Sequence, residues 1–423
     1  MDTSDLKKLS VRYHPSVEVG MTSGVRTCRP DSRVAIYIHI PFCATRCHFC
    51  TFAIVTGKSV THDIMEDYLE ALMKEMTHYA AILKEQRARI ETIQIGGGTP
   101  TILGTGQLQH LFDFVLETFD CSQLEEIIVE GFPTTITKDK VDVLSRIDRL
   151  KLNIGIQTFN EANLAGVGRR HSLSDAASTV KLAQDANIKS VGVDIIFGLP
   201  GSTIDDVIND VNTISTLGVD HLALYPLWVY ESTAVDRKIQ RGALVRTRFE
   251  GLQQQMAAGQ ELLVANGFER YTAFHYTTSD AHKHQYGLWQ MRAREWIGFG
   301  MAAMSYMNGE VVLNEKVLGR YIEKVRGGLL DTGSGQRFTS DEEMRFALQY
   351  GLRLRPYLLA QFRESFGCDV REVYGQELQY LSALGLITCD ERQIDLTPDG
   401  ILKLGSIEKY ITREIAAIPS EQH

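Results

Sequence analysis

Six short β-rich runs recur at residues 35–40, 92–95, 126–130, 150–157, 190–197 and 221–227, each separated from the next by a stretch with helical spacing. Parallel strands cannot be joined by tight turns. They need crossover connections, usually helical, so this rhythm confines the chain to a parallel barrel or an open parallel sheet. Six strands in about 190 residues suit a partial (βα)6 barrel better than a closed eightfold one. In such an α/β fold, active sites form in the loops after the C-terminal ends of the strands.

The helical segments are read from pattern. Between residues 61 and 83 the apolar positions Ile64, Tyr68, Leu69, Leu72 and Met76 share one face, with acidic residues on much of the other. Met76 is therefore expected in the core and not on a metal. Ser174 is the expected N-cap of an Ala-rich helix, and Ser202 or Thr203 that of the helix running to Leu217, which Gly218 can end. Residues 1–33 show no apolar period and read as an irregular arm, followed by the barrel over 34–235. Residues 236–335 read as a mixed α/β extension that would shape the substrate region, and 336–423 as a helix-rich C-terminal domain. Within the latter, residues 381–396 read as a small helix and hairpin of winged-helix type.

A formal net charge of −9 argues against nucleic acid as partner, because phosphates would repel the surface. No window approaches the roughly 18 uninterrupted apolar residues that span a bilayer, and the start MDTSDLKKLSVRYHPS lacks the apolar core of a secretory signal, so a cytoplasmic location is expected. Seven cysteines is an odd number for a disulfide framework, and three of them crowd into eight residues, which points to metal binding in a reducing compartment. Cys28, Cys121, Cys368 and Cys389 are scattered and read as buried or free thiols.

Cys43, Cys47 and Cys50 have Cx3Cx2C spacing and follow the first β-run directly. Electron-transfer cubes of four irons normally take four cysteines, so three thiolates leave one iron open to an exogenous ligand. S-adenosylmethionine (SAM) can chelate that iron through its amino and carboxylate groups. Its sulfonium then lies beside the cluster for one-electron reduction, with release of a 5′-deoxyadenosyl radical. Zinc is the competing reading. It would want a fourth Cys or His in tetrahedral geometry, and the neighbours are His48, whose backbone is committed to the loop, and His39 before it.

The segment Tyr37-Ile38-His39-Ile40-Pro41-Phe42-Cys43 through Phe52 resembles the radical SAM family typified by oxygen-independent coproporphyrinogen III dehydrogenase. Further matches are Gly96-Gly97-Gly98-Thr99-Pro100, Ile154-Gly155-Ile156-Gln157-Thr158-Phe159, residues 194–201 and Leu352-Arg353-Leu354. The resemblance implies a radical SAM barrel with a [4Fe-4S] cluster on Cys43, Cys47 and Cys50. It further implies SAM held by Tyr37, Phe49, Gly97, Gly98, Thr99, Glu130, Gln157, Arg169 and Asp194, with Arg170 an adjacent rival for Arg169. Some members carry a second SAM. Its expected walls are Gly198-Leu199-Pro200, residues 225–227 and the run Ile297-Gly298-Phe299-Gly300. A flavodoxin- or ferredoxin-type electron donor is implied as well.

Departures from the family pattern narrow the choice. The dehydrogenase has a further cysteine two residues past the third, where this chain has Phe52. The haem chaperones of the superfamily carry His-Asn-x-x-Tyr-Trp; here the run is His284-Gln285-Tyr286-Gly287-Leu288-Trp289, matching at the histidine and tryptophan. His284 and His282 thus stay open as haem-binding or loop residues. The expected function is radical transfer of a methylene or methyl group from a second SAM to an sp2 carbon of an aromatic or conjugated small molecule. C-methylation and cyclopropanation both fit that description. The alternative is tetrapyrrole chemistry, either coproporphyrinogen oxidation or haem ring opening, or a haem chaperone. Tyr225, Tyr230 and His284 are the candidate general bases, and the substrate is expected to be a heteroaromatic or tetrapyrrole small molecule.

Overall fold

A computed structural model describes residues 25–231 and 233–414. The expected N-terminal arm lies outside the described residues as far as residue 24. Six parallel strands form the frame: β1 (Arg33–Ile40), β2 (Arg89–Gly97), β3 (Glu126–Gly131), β4 (Leu150–Gln157), β5 (Ser190–Phe197) and β6 (His221–Pro226). The crossovers are α1 (His62–Glu85), α2 (Thr105–Thr118), α3 (Lys138–Leu144), the pair α4 (Glu161–Gly166) and α5 (Leu173–Asp185), and α6 (Ile204–Leu217).

The region after β6 extends the frame itself. Its strands join both edges of the frame, making one mixed, unclosed sheet of twelve strands. On the β6 side, β7 (Glu269–Arg270) and β8 (His275–Thr277) add antiparallel. On the β1 side, β9 (Trp296–Phe299) pairs in parallel with β1, matching Ile36 to Ile297 and Tyr37 to Gly298, and β10 (Met304–Met307), β11 (Glu310–Leu313) and β12 (Ser334–Arg337) follow as antiparallel strands. The sheet thereby gains a seventh parallel strand that the first six runs do not announce.

Local chemistry sets the helix ends. Thr61 accepts from the Ile64 amide, Thr203 and Asp206 form a capping box, and Gly218 ends α6 at φ 65°. Ser172, not Ser174, caps α5: its hydroxyl accepts from the Asp175 amide while the Asp175 carboxylate returns to the Ser172 amide, a reciprocal pair that needs three-residue spacing. Met76 is fully buried on α1.

The helix-rich C-terminal part contains the expected hairpin. Its strands β14 (Ile387–Cys389) and β15 (Gln393–Leu396) pair antiparallel after a helix over Val370–Ala383, and β13 (Tyr357–Leu358) adds to the free side of β15. This part grips the barrel where the Ala273 amide donates to the Arg353 carbonyl at 2.8 Å. Among the described residues no helix is long and apolar enough to cross a membrane.

Candidate active site

The C-terminal ends of β1 to β5 surround a cavity of about 320 Å³. Its wall includes Cys43, Cys47, Phe49 and Cys50 from the loop after β1, Gly97, Gly98 and Thr99 from the end of β2, Glu130 from β3, Gln157 from β4, Asp194 from β5, and both Arg169 and Arg170. Strand alternation aims these side chains inward. Along β4 the residues Asn153, Gly155 and Gln157 all reach the cavity, and Gln157 does so through a register shift at φ 80°.

Glycines let the cysteine loop close on the strand beside it. The Gly98 and Thr99 amides donate to the Ile40 and Phe42 carbonyls, each at 2.8 Å, so the two loops are stitched backbone to backbone. A Cβ at Gly98 would lie 2.6 Å from the Phe42 carbonyl oxygen, and one at Gly97, where φ is 104°, would lie 2.4 Å from the His39 ring. Thr99 Oγ1 lies 3.3 Å from Cys43 Sγ. Arg169 donates to Cys47 Sγ at 3.4 Å and to the Gly155 carbonyl, and its guanidinium lies over the Phe132 ring at 4.3 Å.

The carboxylates are held in an apolar surround. Burial, reinforced by the nearby Asp194 charge, pushes Glu130 up to about 7, against the relief of a hydrogen bond from Gln94 Nε2 at 2.5 Å. Burial also raises Asp194 to about 6, although Asn153 Nδ2 donates to it at 2.9 Å and Arg169 lies near. Asn153 Oδ1 and Arg169 Nε are buried with no protein partner. Unmet polar atoms on residues that line a cavity with three thiols and a glycine seam suit a polar cofactor.

Among the described residues no three His, Cys, Asp or Glu side chains are arranged to hold one metal ion. A mononuclear zinc would need ligands that converge on one point. A four-iron cube takes each thiolate on a different iron and tolerates their separation. Burial raises Cys50 to about 11 and also raises Cys43, so the protein alone does not favour thiolates there and bound iron would have to. All seven cysteines are free of disulfides.

The other sequence candidates are not among the residues that line this cavity. Tyr37 bonds His39 Nδ1 at 3.1 Å, with its ring 6.2 Å from Tyr286. Ile297 is fully buried in the main core, in register with Ile36. Tyr230 is exposed at the surface beyond β6. Tyr225 shares a hydrogen bond with His275 Nε2 at 2.9 Å, and burial, then the nearby Asp194 charge, raises its phenol well above the ordinary value. His284 stacks on His221 at 3.6 Å, and burial holds both imidazoles neutral. Asn153 and Phe132 escaped the sequence reading. Asn153 was legible from the period of two leading to Gln157, whereas Phe132, just past the end of β3, lines the cavity and lies beneath the Arg169 guanidinium.

Comparison with known proteins agrees with this picture. Residues 37–214 match the Radical SAM superfamily, and residues 338–402 match the HemN C-terminal domain. The chain is 28% identical over 387 residues to the heme chaperone HemW of Lactococcus lactis, covering 90% of this chain and 97% of that one. It is likewise 28% identical over 404 residues to the oxygen-independent coproporphyrinogen III oxidase of Salmonella typhimurium, covering 89% and 85%. In three dimensions it superposes on the coproporphyrinogen III oxidase of Escherichia coli with a TM-score of 0.78 at 21% identity, over 96% of this chain and 99% of that one, which establishes a shared fold.

Proposed function

Because the chain belongs to the radical SAM superfamily and carries a HemN C-terminal domain, we propose that it is a tetrapyrrole-directed radical SAM enzyme. One observation supports this most: three thiols, a glycine seam and a polar rim converge on one cavity in a fold shared over nearly its whole length with a porphyrinogen oxidase. When bound, the cluster and SAM would supply a one-electron reductive cleavage that yields a 5′-deoxyadenosyl radical. Cys43, Cys47 and Cys50 would hold the cluster. The Gly97 to Thr99 turn, which lines the cavity, would present its backbone to the charged methionyl end of SAM, and Glu130, Gln157, Arg169 and Asp194 would offer partners for its polar groups. Arg169, which lies over Phe132 and donates to Cys47, would neutralise the SAM carboxylate there.

The methyl-transfer reading gives way to the tetrapyrrole one, since none of the relatives named above is a methyltransferase. A haem carrier is the second reading, favoured by the HemW similarity. It meets an obstacle in His284, whose ring is stacked on His221, so that ligation of haem iron would require the segment around it to move.

The deciding experiment is anaerobic. With the cluster reconstituted and dithionite and SAM present, addition of coproporphyrinogen III or haem should raise 5′-deoxyadenosine release several-fold and change the tetrapyrrole spectrum. Formation of S-adenosylhomocysteine with no response to either tetrapyrrole would overturn the proposal in favour of methyl transfer. Stoichiometric haem retention without SAM cleavage would establish the carrier instead.

A further inference from the structure

Any radical SAM cluster must receive its electron from outside, and the surface beside the cysteine loop carries a feature the site itself does not use. Between residues 237 and 248 the chain places Arg237, Lys238, Arg241, Arg246 and Arg248 with no carboxylate among them, in a protein of net charge −9. The helix α7 (Ala234–Gln240), which opens this stretch, is seated directly on the cysteine loop. The Val235 amide donates to the His48 carbonyl at 2.9 Å, and Lys238 Nζ reaches His48 Nδ1 at 3.1 Å. Val235, Ile239 and Leu244 pack in one apolar cluster with Phe49. Arg237 and Arg241, four residues apart, are exposed on the outer face.

Several arginines of the surface are tied to carboxylates, as Arg87 is to Asp31 and Arg326 to Asp67 and Glu70. Arg241, Arg246 and Arg248 make no ion pair among the described residues. Between them Val245 is 77% exposed, and across the loop Phe52 is 45% exposed beside the exposed residues Ala44, Thr45 and Arg46. Cations flanking an exposed apolar side chain, on a segment whose first helix is seated against the cysteine loop, complement a partner with an acidic rim around an apolar flavin edge.

We propose that this strip is the docking face for an acidic flavoprotein that delivers single electrons to the cluster. The inference rests on the radical SAM reading. In the step, the partner's reduced flavin loses one electron and releases its proton to solvent, and the cluster gains that electron.

The test uses the full reconstituted protein in anaerobic stopped flow, with reduced flavodoxin as donor and photoreduced 5-deazariboflavin as a neutral control. Arg241→Glu combined with Arg246→Glu should lower the second-order rate from flavodoxin by about tenfold at low salt and flatten its salt dependence. Reduction by deazariboflavin and the melting temperature should not change, and Arg248→Glu alone should act the same way more weakly. An unchanged flavodoxin rate in these variants would overturn the proposal. So would an unchanged donor rate accompanied by weaker binding of an anionic porphyrin, since the strip would then serve substrate. Failure of deazariboflavin to reduce the wild-type cluster would instead count against the radical SAM reading, and the docking proposal would fall with it.

Discussion

Glu130 carries a measurable pH signature. Its folded-state value near 7 lies above the ordinary carboxylate value because burial and then Asp194 disfavour its charge. A proton therefore binds more tightly in the folded state, and the stability this contributes is full below the unfolded value and lost as pH rises through 7. Asp194, raised to about 6, shifts stability in the same direction. The cofactor-free protein should therefore weaken between about pH 4 and 7, and Glu130→Gln should remove much of that slope, by no more than about 3 kcal/mol because the cavity side of the group stays wetted. Urea midpoints at pH 5 and pH 8 measure it; a variant that keeps the full wild-type slope would refute the assignment. At Cys47 the expectation is simpler: Cys47→Ala should lose bound iron and SAM cleavage together, read by iron analysis and 5′-deoxyadenosine release.

At the scale of elements, the seam between the cysteine loop and the end of β2 is backbone against backbone, so it has no side chain that could yield. Gly98→Ala places a methyl 2.6 Å from the Phe42 carbonyl oxygen and should cost about 1–3 kcal/mol. Because the seam positions Cys43, iron incorporation should fall along with the melting temperature. Normal cluster loading in a destabilised variant would show that the seam supports the fold alone. The helix α5 illustrates how local chemistry is misread by one turn position. Ser172 and Ser174 are both plausible caps in sequence, and Asp175 decides between them by pairing back to Ser172.

Across the whole molecule, a buried polar knot joins segments that are far apart in sequence. Glu75 on α1 accepts from Arg26 at 2.6 Å, Asn314 and the Gly300 amide at 2.8 Å each, and the Tyr321 hydroxyl at 2.7 Å. Arg26 also donates to the Gly298 carbonyl and lies 3.7 Å from the Tyr79 ring centroid. This knot secures β9 and the turn after it against the first crossover helix. Glu75→Ala would leave a buried guanidinium unpaired and should cost about 3–5 kcal/mol in denaturant unfolding. A loss below 1 kcal/mol would mean that the sheet edge is held by packing alone.

The frame was legible because its information is local. The runs at 150–157 and 190–197 coincide with the strands to the residue, since a buried parallel strand is a short apolar run between turn residues. The cysteine spacing and the polar residues at strand ends were equally readable, and strand geometry alone carries Glu130, Gln157 and Asp194 to one rim. Tertiary structure decided what depends on distant pairing. A four-residue strand such as β9 has nothing in its sequence to say that it will extend the sheet beside β1, because edge pairing is a contest between whole surfaces. The same holds for Tyr225, Tyr230, His284 and Ile297: each has chemistry suited to a site, and only the packing of the chain sets Tyr225 beside His275, Tyr230 at the surface, His284 on His221 and Ile297 in the core.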